Sequence, residues 1–424
     1  MTNVFDEFQW RGMVYDATEG VSELFGRERV TAYIGFDPTA SSLHVGSLLT
    51  VMGLARLQRF GHVPLAIVGG GTGMIGDPSG KSQERVLLSM DQVAANVTGI
   101  RQQLERFLDF SPGPNSARIV NNLDWLGSID LLSFLRDAGK HFTVNYMLQK
   151  ESVQRRLEAE DGISFTEFSY LLLQAYDFLQ LFDRYGCAVQ MGGSDQWGNI
   201  TAGIDLIRKL RAAKSHGLVW PLLKTSSGAK FGKTESGTIW LDAARTSPYR
   251  FYQFWFNTDD RDVVSHLKLF TFMSRAEIDA LALASSETPE RRDAQRTLAR
   301  AVTELVHGAD QLARAERASA LLFADDLTAY AVDDVLAVFD DVPSIEISGS
   351  ELEDGGALLI DLLARAQIVP SKAEARRLLQ SGGIYLNNRR VADLQHRVER
   401  AQAIEGRLLV VRKGARQNHL IRIT

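Results

Sequence analysis

Five short apolar runs, separated by segments of helix length, constrain the fold of this chain more than any other feature. The runs at 30–36, 63–69, 117–120, 188–191 and 218–222 read as buried strands, and the stretches between them have helical spacing. Alternation of this kind predicts a parallel α/β sheet, because parallel neighbours need a crossover connection and a helix supplies it. The pattern changes at residue 247. Leu, Ala, Arg and Glu dominate 247–325, which predicts a helical domain. Residues 326–356 contain DDLTAY, FDDVPS and SGSELEDGG, acidic and turn-rich, and are expected to be a linker. Residues 357–424 read as a small basic α+β module. The expected order is a sheet domain over 1–225, a connecting loop over 226–246, the helical domain, the linker and the module.

A chain of 424 residues suits two or three domains. Its net charge of −5 is unevenly placed: residues 357–424 carry 13 Lys and Arg against 5 Asp and Glu, or +8, which leaves −13 on the rest. An acidic body with a basic tail predicts that the tail meets nucleic acid, with a merely solvated basic surface as the alternative. The single cysteine, Cys187, excludes an intramolecular disulfide and a cysteine cluster for zinc. The longest uncharged apolar run, 63–76, is glycine-rich and shorter than the ~20 residues that a bilayer requires. The opening residues, MTNVFDEFQW, lack a signal pattern, so the expectation is a cytoplasmic protein that does not engage a membrane.

Residues 33–47, YIGFDPTASSLHVGS, read as strand, turn and helix. Tyr33, Ile34 and Phe36 favour a strand, Asp37-Pro38-Thr39 breaks it, and a helix starts near His44. Such a junction aims backbone N–H groups and a positive helix end at an anion. Gly35 lets a ligand lie against the backbone, Thr39 offers a hydroxyl, and His44 and Gly46 sit at the first turn. Far along the chain, KFGKT at 230–234 adds Lys230, Lys233 and Thr234 around a central glycine. Taken singly, His44 reads more often as a structural histidine, and the pentapeptide usually as a surface loop. Together they would hold a triphosphate from two sides.

A second feature lies in 165–182, a largely apolar helical stretch. Tyr170, Gln174 and Asp177 fall at i, i+4 and i+7 and share one face. A buried hydroxyl, amide and carboxylate need partners. Either a polar network inside the core or a polar small molecule in a pocket supplies them.

These motifs resemble those of the class I aminoacyl-tRNA synthetases. His44-Val45-Gly46-Ser47 matches the His-x-Gly-His signature in three places, with Ser47 as a weaker donor where the second histidine stands in the family. KFGKT matches the KMSKS loop. Resemblance to the tyrosine-specific branch runs through YIGFDPTASSLHVGS, VGGGTGMIGDPSGKSQER, the Tyr170 helix, QMGGSDQWGNI and KFGKTESGTIWLD, and extends into the C-terminal module. It implies a Rossmann-like α/β catalytic domain that joins L-tyrosine to ATP, releases pyrophosphate and passes the tyrosyl group to the 3′-terminal adenosine of its tRNA. Thr39, His44, Lys230, Lys233 and Thr234 would stabilise the charge that builds on the triphosphate. Lys81 and Arg85 are further candidates, and Gly46 and Ser47 would belong to the same ATP site. By the same resemblance Tyr33 and Asp177 bind the phenolic hydroxyl of tyrosine. Asp77, Tyr170 and Gln174 hold its ammonium group, with Gln190 nearby. Gly35, Asp37, Gly193, Asp195 and Gln196 line the path of the ribose and the reacting carboxylate. No side-chain nucleophile is called for, since the substrate carboxylate attacks and positioning carries much of the rate. Mg2+ is expected with the pyrophosphate. No zinc or organic cofactor is expected, and the family implies a homodimer.

Residues 370–391, PSKAEARRLLQSGGIYLNNRRV, read as a helix, a Gly-Gly turn and a strand, made basic by Lys372, Arg376, Arg389 and Arg390. The stretch resembles the small RNA-binding domain first known from ribosomal protein S-four, which reads RNA through shape and backbone. Arg208, Lys209 and Arg211 follow the QWGNI helix and would either meet the acceptor end of the tRNA or form an ordinary solvated helix end. Two rivals remain. A tryptophan-activating relative has no use for a carboxylate beside a phenol, as in the Tyr33–Asp177 pair. A non-catalytic RNA-binding protein has no use for His44, Lys230, Lys233 and Asp177.

Overall fold

The computed structural model describes residues 3–79, 87–158, 162–226, 228, 231–234, 237–321, 324–339, 342–353, 355–414 and 417–424. Compactness divides the chain into two units, Met1–Thr246 with Trp255–Val306, and Ser247–Phe254 with His307–Thr424.

The first unit is built on a six-stranded sheet of β1 (Asp16–Ala17), β2 (Thr31–Phe36), β3 (Val63–Val68), β4 (Arg118–Asn121), β5 (Cys187–Gly193) and β6 (His216–Trp220). The order is β1-β6-β5-β2-β3-β4, and every pairing except β1–β6 is parallel. All five expected strands are present, and helices cover the sheet. Continuous burial along β6 and along all but the first residue of β3 is what two covered faces require. The antiparallel edge strand β1 was not anticipated, because two residues hold no periodicity to read. From β2 the chain moves outward through β3 to β4, then returns to the other side of β2 for β5 and β6. The order therefore reverses between β2 and β5, and crevices for ligands open at the carboxyl ends of strands at such a point.

The expected helical run consists of Pro248–Phe256, Asp260–Phe270, Arg275–Glu287, Asp293–His307 and Ala309–Leu321. In the first unit, the Asp260–Phe270 helix is tied at its C-terminus by two buried arginines. Arg11 donates to the carbonyls of Lys268, Thr271 and Met273, and Arg56 donates to those of Lys268 and Thr271. The orphan carbonyls and negative dipole of a helix end suit cationic donors.

The second unit contains a five-stranded sheet in the order Arg389–Val391, Ile384–Leu386, Leu408–Lys413, Gln417–Ile423, Ser344–Ile347. Its core includes Leu363, Leu379, Ile384, Leu409, Val411 and Ile421. Residues 326–356, expected as a linker, differ from that reading. Val332–Val338 is a helix, and Ser344–Ile347 runs parallel to Gln417–Ile423 as an edge strand of the sheet. Acidic, turn-forming neighbours hide this four-residue strand in the sequence. The basic stretch also holds one strand more than expected. Asn387 and Asn388, with φ of 48° and 66°, make a two-residue turn that pairs Ile384–Leu386 with Arg389–Val391. Asparagine tolerates that left-handed backbone, and such turns match the twist of a hairpin.

Candidate active site

The reversal between β2 and β5 opens into a cleft of about 610 Å³. Every residue expected at the amino-acid or nucleotide site whose side chain is described lines this cleft, from Tyr33 and Asp177 through Asp77 and Gln174 to His44 and Ser47. Lys81, Arg85 and Lys230 lie outside the described residues, as do the side chains of Lys233 and Thr234.

At one end stands the helix Val45–Arg59, with His44 as its N-cap. Its first turn carries no acidic residue, so the positive helix end is not neutralised from within. A Cβ at Gly46 would stand 2.7 Å from the His44 ring, so any side chain there would displace that ring. The two signature segments, distant in sequence, are joined by backbone hydrogen bonds. Val45 N–H donates to the Ile239 carbonyl at 3.0 Å, and Leu241 N–H donates to the Leu43 carbonyl at 2.9 Å. Ile239 N–H in turn reaches the Gly232 carbonyl at 3.1 Å, beside the hairpin of Lys233–Thr234 and Gly237–Thr238. Phe231 anchors this strip from below. Its ring stacks on Phe270 at 5.4 Å between centroids and lies 5.0 Å from His266 and 5.8 Å from Trp255. Burial in this cage pushes the His266 imidazole down to about 4, so it is neutral at physiological pH.

At the other end lies Asp177, on the helix Phe165–Tyr185. Both of its oxygens accept neutral donors, Asn122 Nδ2 at 2.8 Å and Trp125 Nε1 at 2.7 Å. Burial still outweighs these donors and raises the carboxyl to about 7. Tyr33 packs against Phe178, and its buried hydroxyl has no hydrogen-bond partner. Burial, then the nearby Asp177, raises the Tyr33 hydroxyl well above the ordinary tyrosine range, so it stays protonated. A protonated hydroxyl left over and a carboxylate of adjustable charge suit a ligand group that both donates and accepts, which a phenol does.

Polar chains connect the two ends. Tyr170 Oη donates to Asp37 Oδ2 at 2.9 Å, and Thr72 Oγ1 donates to Asp37 Oδ1 at 2.9 Å. Thr72 accepts from Asn122 Nδ2 at 2.9 Å, and Asn122 leads on to Asp177. A second group joins Asp77, Gln196, Gln174 and Asn199: Gln196 Nε2 donates to Asp77 at 2.7 Å, Gln174 Nε2 donates to Gln196 at 3.2 Å, and Asn199 Nδ2 donates to Gln174 at 2.9 Å. Gln196, expected beside the ribose, thus bonds to the residues expected at the ammonium group. Gln190, the neighbour of Tyr33 across the β2–β5 pairing, is buried with its Oε1 unpartnered. Sequence reasoning missed Thr72, Asn122, Trp125 and Asn199. Asn122 had one signal, as an asparagine just past the end of a predicted strand.

The basic residues expected to meet RNA are exposed. Arg208 and Lys209 both pair with Asp205, Lys372 pairs with Asp361, and Arg389 pairs with Asp326 at 2.5 Å. Arg376 lies on the helix Lys372–Gln380, and Arg390 donates to the Ser381 carbonyl.

Comparison with known proteins follows the same division. Residues 26–324 match the family model of class I tRNA synthetases (W and Y), and residues 334–421 match the SYY-like C-terminal domain of tyrosine–tRNA ligase. The chain is 57% identical to a tyrosine–tRNA ligase of Roseiflexus castenholzii over all of both chains. It is 52% identical to that of Geobacillus stearothermophilus over 98% of each. Among solved structures, a C-terminally truncated mitochondrial tyrosyl-tRNA synthetase of Aspergillus nidulans superposes with a TM-score of 0.70 at 32% identity, covering 76% of this chain and 95% of that one.

Proposed function

The chain belongs to the class I tyrosine–tRNA ligases, and on that footing we propose how its residues divide the work. The enzyme activates tyrosine with ATP to tyrosyl-adenylate and pyrophosphate, then transfers the tyrosyl group to its tRNA. Tyr33 and Asp177 take the phenolic hydroxyl. Asp77, Tyr170 and Gln174 take the ammonium group, with Gln190 and Gln196 close by. Gly35, Asp37, Gly193 and Asp195 leave room for the ribose and the attacking carboxylate. Thr39, His44, Gly46 and Ser47 meet the phosphates from the helix end, and Lys230, Lys233 and Thr234 of KFGKT are assigned to the same phosphates, with Lys81 and Arg85 as further cations. ATP enters as its Mg2+ complex, a substrate and not a resident metal. Charge spreads over the α-phosphate and the leaving pyrophosphate as the carboxylate attacks, and donors held at that position lower the barrier.

One observation carries the tyrosine assignment: the unpartnered, buried Tyr33 hydroxyl beside the buried Asp177 in the cleft. Phenylalanine would leave both without a ligand partner, and tyrosine against phenylalanine in this very family is a standing illustration of that rule. The deciding experiment is exchange of labelled pyrophosphate into ATP without tRNA. Exchange with tyrosine, and background exchange with phenylalanine or tryptophan, is the expected result. Equal exchange with phenylalanine would remove the pocket assignment.

The tRNA is assigned to Arg208 and Lys209 at its acceptor end and to Lys372, Arg376, Arg389 and Arg390 in the basic module. Homodimerisation is the proposed assembly. The resemblance to the family is what supports it. No described helix is long and apolar enough to cross a membrane, and the cytoplasm is the proposed location.

A further inference from the structure

Residues 37–43 link β2 to the His44 helix and contain neither helix nor strand. Thr39 N–H donates to the Asp37 carbonyl at 2.9 Å, and the other backbone groups need partners from elsewhere. The helix Met90–Leu104 supplies them from one face, where Asn96, Gly99 and Gln103 fall at i, i+3 and i+7. Asn96 Nδ2 donates to the Pro38 carbonyl at 2.9 Å. Gln103 Oε1 accepts from Leu43 N–H at 2.8 Å, and its Nε2 donates to Ser42 Oγ at 2.9 Å. Between them, a Cβ on Gly99 would stand 2.1 Å from the Ser41 carbonyl oxygen, so only glycine permits this approach.

The amide of Gln103 has one satisfactory orientation. Ser42 Oγ has a single proton, which it gives to the Leu43 carbonyl at 2.7 Å, so it can only accept from Gln103. The same Ser42 Oγ accepts from Asp242 N–H at 3.2 Å, and the Leu43 carbonyl accepts from Leu241 N–H at 2.9 Å. Gln103 therefore holds the point where the His44 segment and the segment that follows KFGKT are joined. None of Asn96, Gly99 and Gln103 lines the cleft.

We infer that Asn96, Gly99 and Gln103 form a positioning platform for both signature segments, with Gln103 as the joint between them. They act through the turn and its backbone bridge and not on substrate. The inference rests on the assignment of those segments to the triphosphate. Charge builds there only as the carboxylate attacks, so a displaced turn lowers the rate of activation more than the affinity for tyrosine.

Four variants of the full-length enzyme test this: Gln103→Leu, Gln103→Glu, Gly99→Ala and His44→Ala. Each is assayed for kcat of tyrosine-dependent pyrophosphate exchange and for tyrosine Kd by equilibrium dialysis. Gln103→Leu and Gly99→Ala are expected to lower kcat by about tenfold or more with Kd within about twofold. Gln103→Glu keeps the acceptor for Leu43 N–H but puts an oxygen where Ser42 Oγ needs a donor, and is expected to lose kcat as Gln103→Leu does, with Kd again within about twofold. Wild-type kcat in Gln103→Leu and Gly99→Ala, with His44→Ala impaired, would overturn the platform and leave the site assignment standing. Wild-type kcat in His44→Ala would overturn both. A parallel loss of tyrosine affinity in Gln103→Leu would mark a general structural role and overturn the platform. Should Gly99→Ala fail to fold, the two Gln103 variants decide.

Discussion

Asp177 shows how one buried carboxyl sets two properties at once. With its carboxyl at about 7 in the free protein, it is part protonated at neutral pH. On the proposed assignment tyrosine donates its hydroxyl to Asp177 and selects the ionised form. Tyrosine affinity is therefore expected to fall by up to about tenfold per pH unit below 7, measured by equilibrium dialysis between pH 8 and 5.5. Asp177→Asn should flatten that dependence. Stability runs in the opposite sense. The folded carboxyl is raised above its unfolded value, so its contribution is fully present below about 4 and lost as pH rises through 7. Urea unfolding should show wild type gaining on Asp177→Asn as pH falls from 7 to 5. The spacing of Tyr170, Gln174 and Asp177 made this helix face legible in the sequence. Asn122 and Trp125, which hold both Asp177 oxygens, were not legible, because a neutral amide and an indole carry no motif until the chain folds them against the carboxylate.

Between elements, the helix Asp260–Phe270 carries connections in both directions. One end is fastened by Arg11 and Arg56, and its inner face grips Phe231 through His266 and Phe270. Arg56→Met removes two charge-assisted hydrogen bonds to helix-end carbonyls and is expected to cost about 2–3 kcal/mol of stability by urea unfolding. His266 titrates at about 4 in the folded protein, below its unfolded value. Its contribution to stability is thus complete above 6.5 and is lost as pH falls toward 4, at about 1.4 kcal/mol per pH unit. His266→Phe should gain on wild type between pH 6.5 and 4.5, the reverse of the Asp177→Asn comparison. No gain would mean that the imidazole is not shielded as the cage implies. Helices and central strands were legible here from periodicity. The two-residue β1 and the strand Ser344–Ile347 were not, since each is too short for a pattern and exists through its neighbour in the sheet.

For the whole molecule, charge is unevenly divided along the chain. The acidic remainder contains the cleft, and residues 357–424 hold a surplus of eight positive charges. Combining Arg376→Ala with Arg390→Ala is expected to raise the KM for tRNA in aminoacylation. The slope of log affinity against log salt should become shallower by roughly one for each phosphate that is no longer neutralised. Tyrosine-dependent exchange, which needs no tRNA, is the reference for the double variant. An unchanged salt slope would remove these two arginines from the RNA-binding surface. The sequence by itself determined the strand–helix alternation, the basic tail, and the residue types at both ends of the site, because periodicity, charge and signature spacing are local properties. Only the tertiary structure decided which groups satisfy Asp177, how the His44 segment and KFGKT come to bond to the same residue, Ile239, and that Gln103 holds their junction. Those interactions join segments tens to hundreds of residues apart, and a buried polar group takes whichever partner the folded chain brings within about 3 Å.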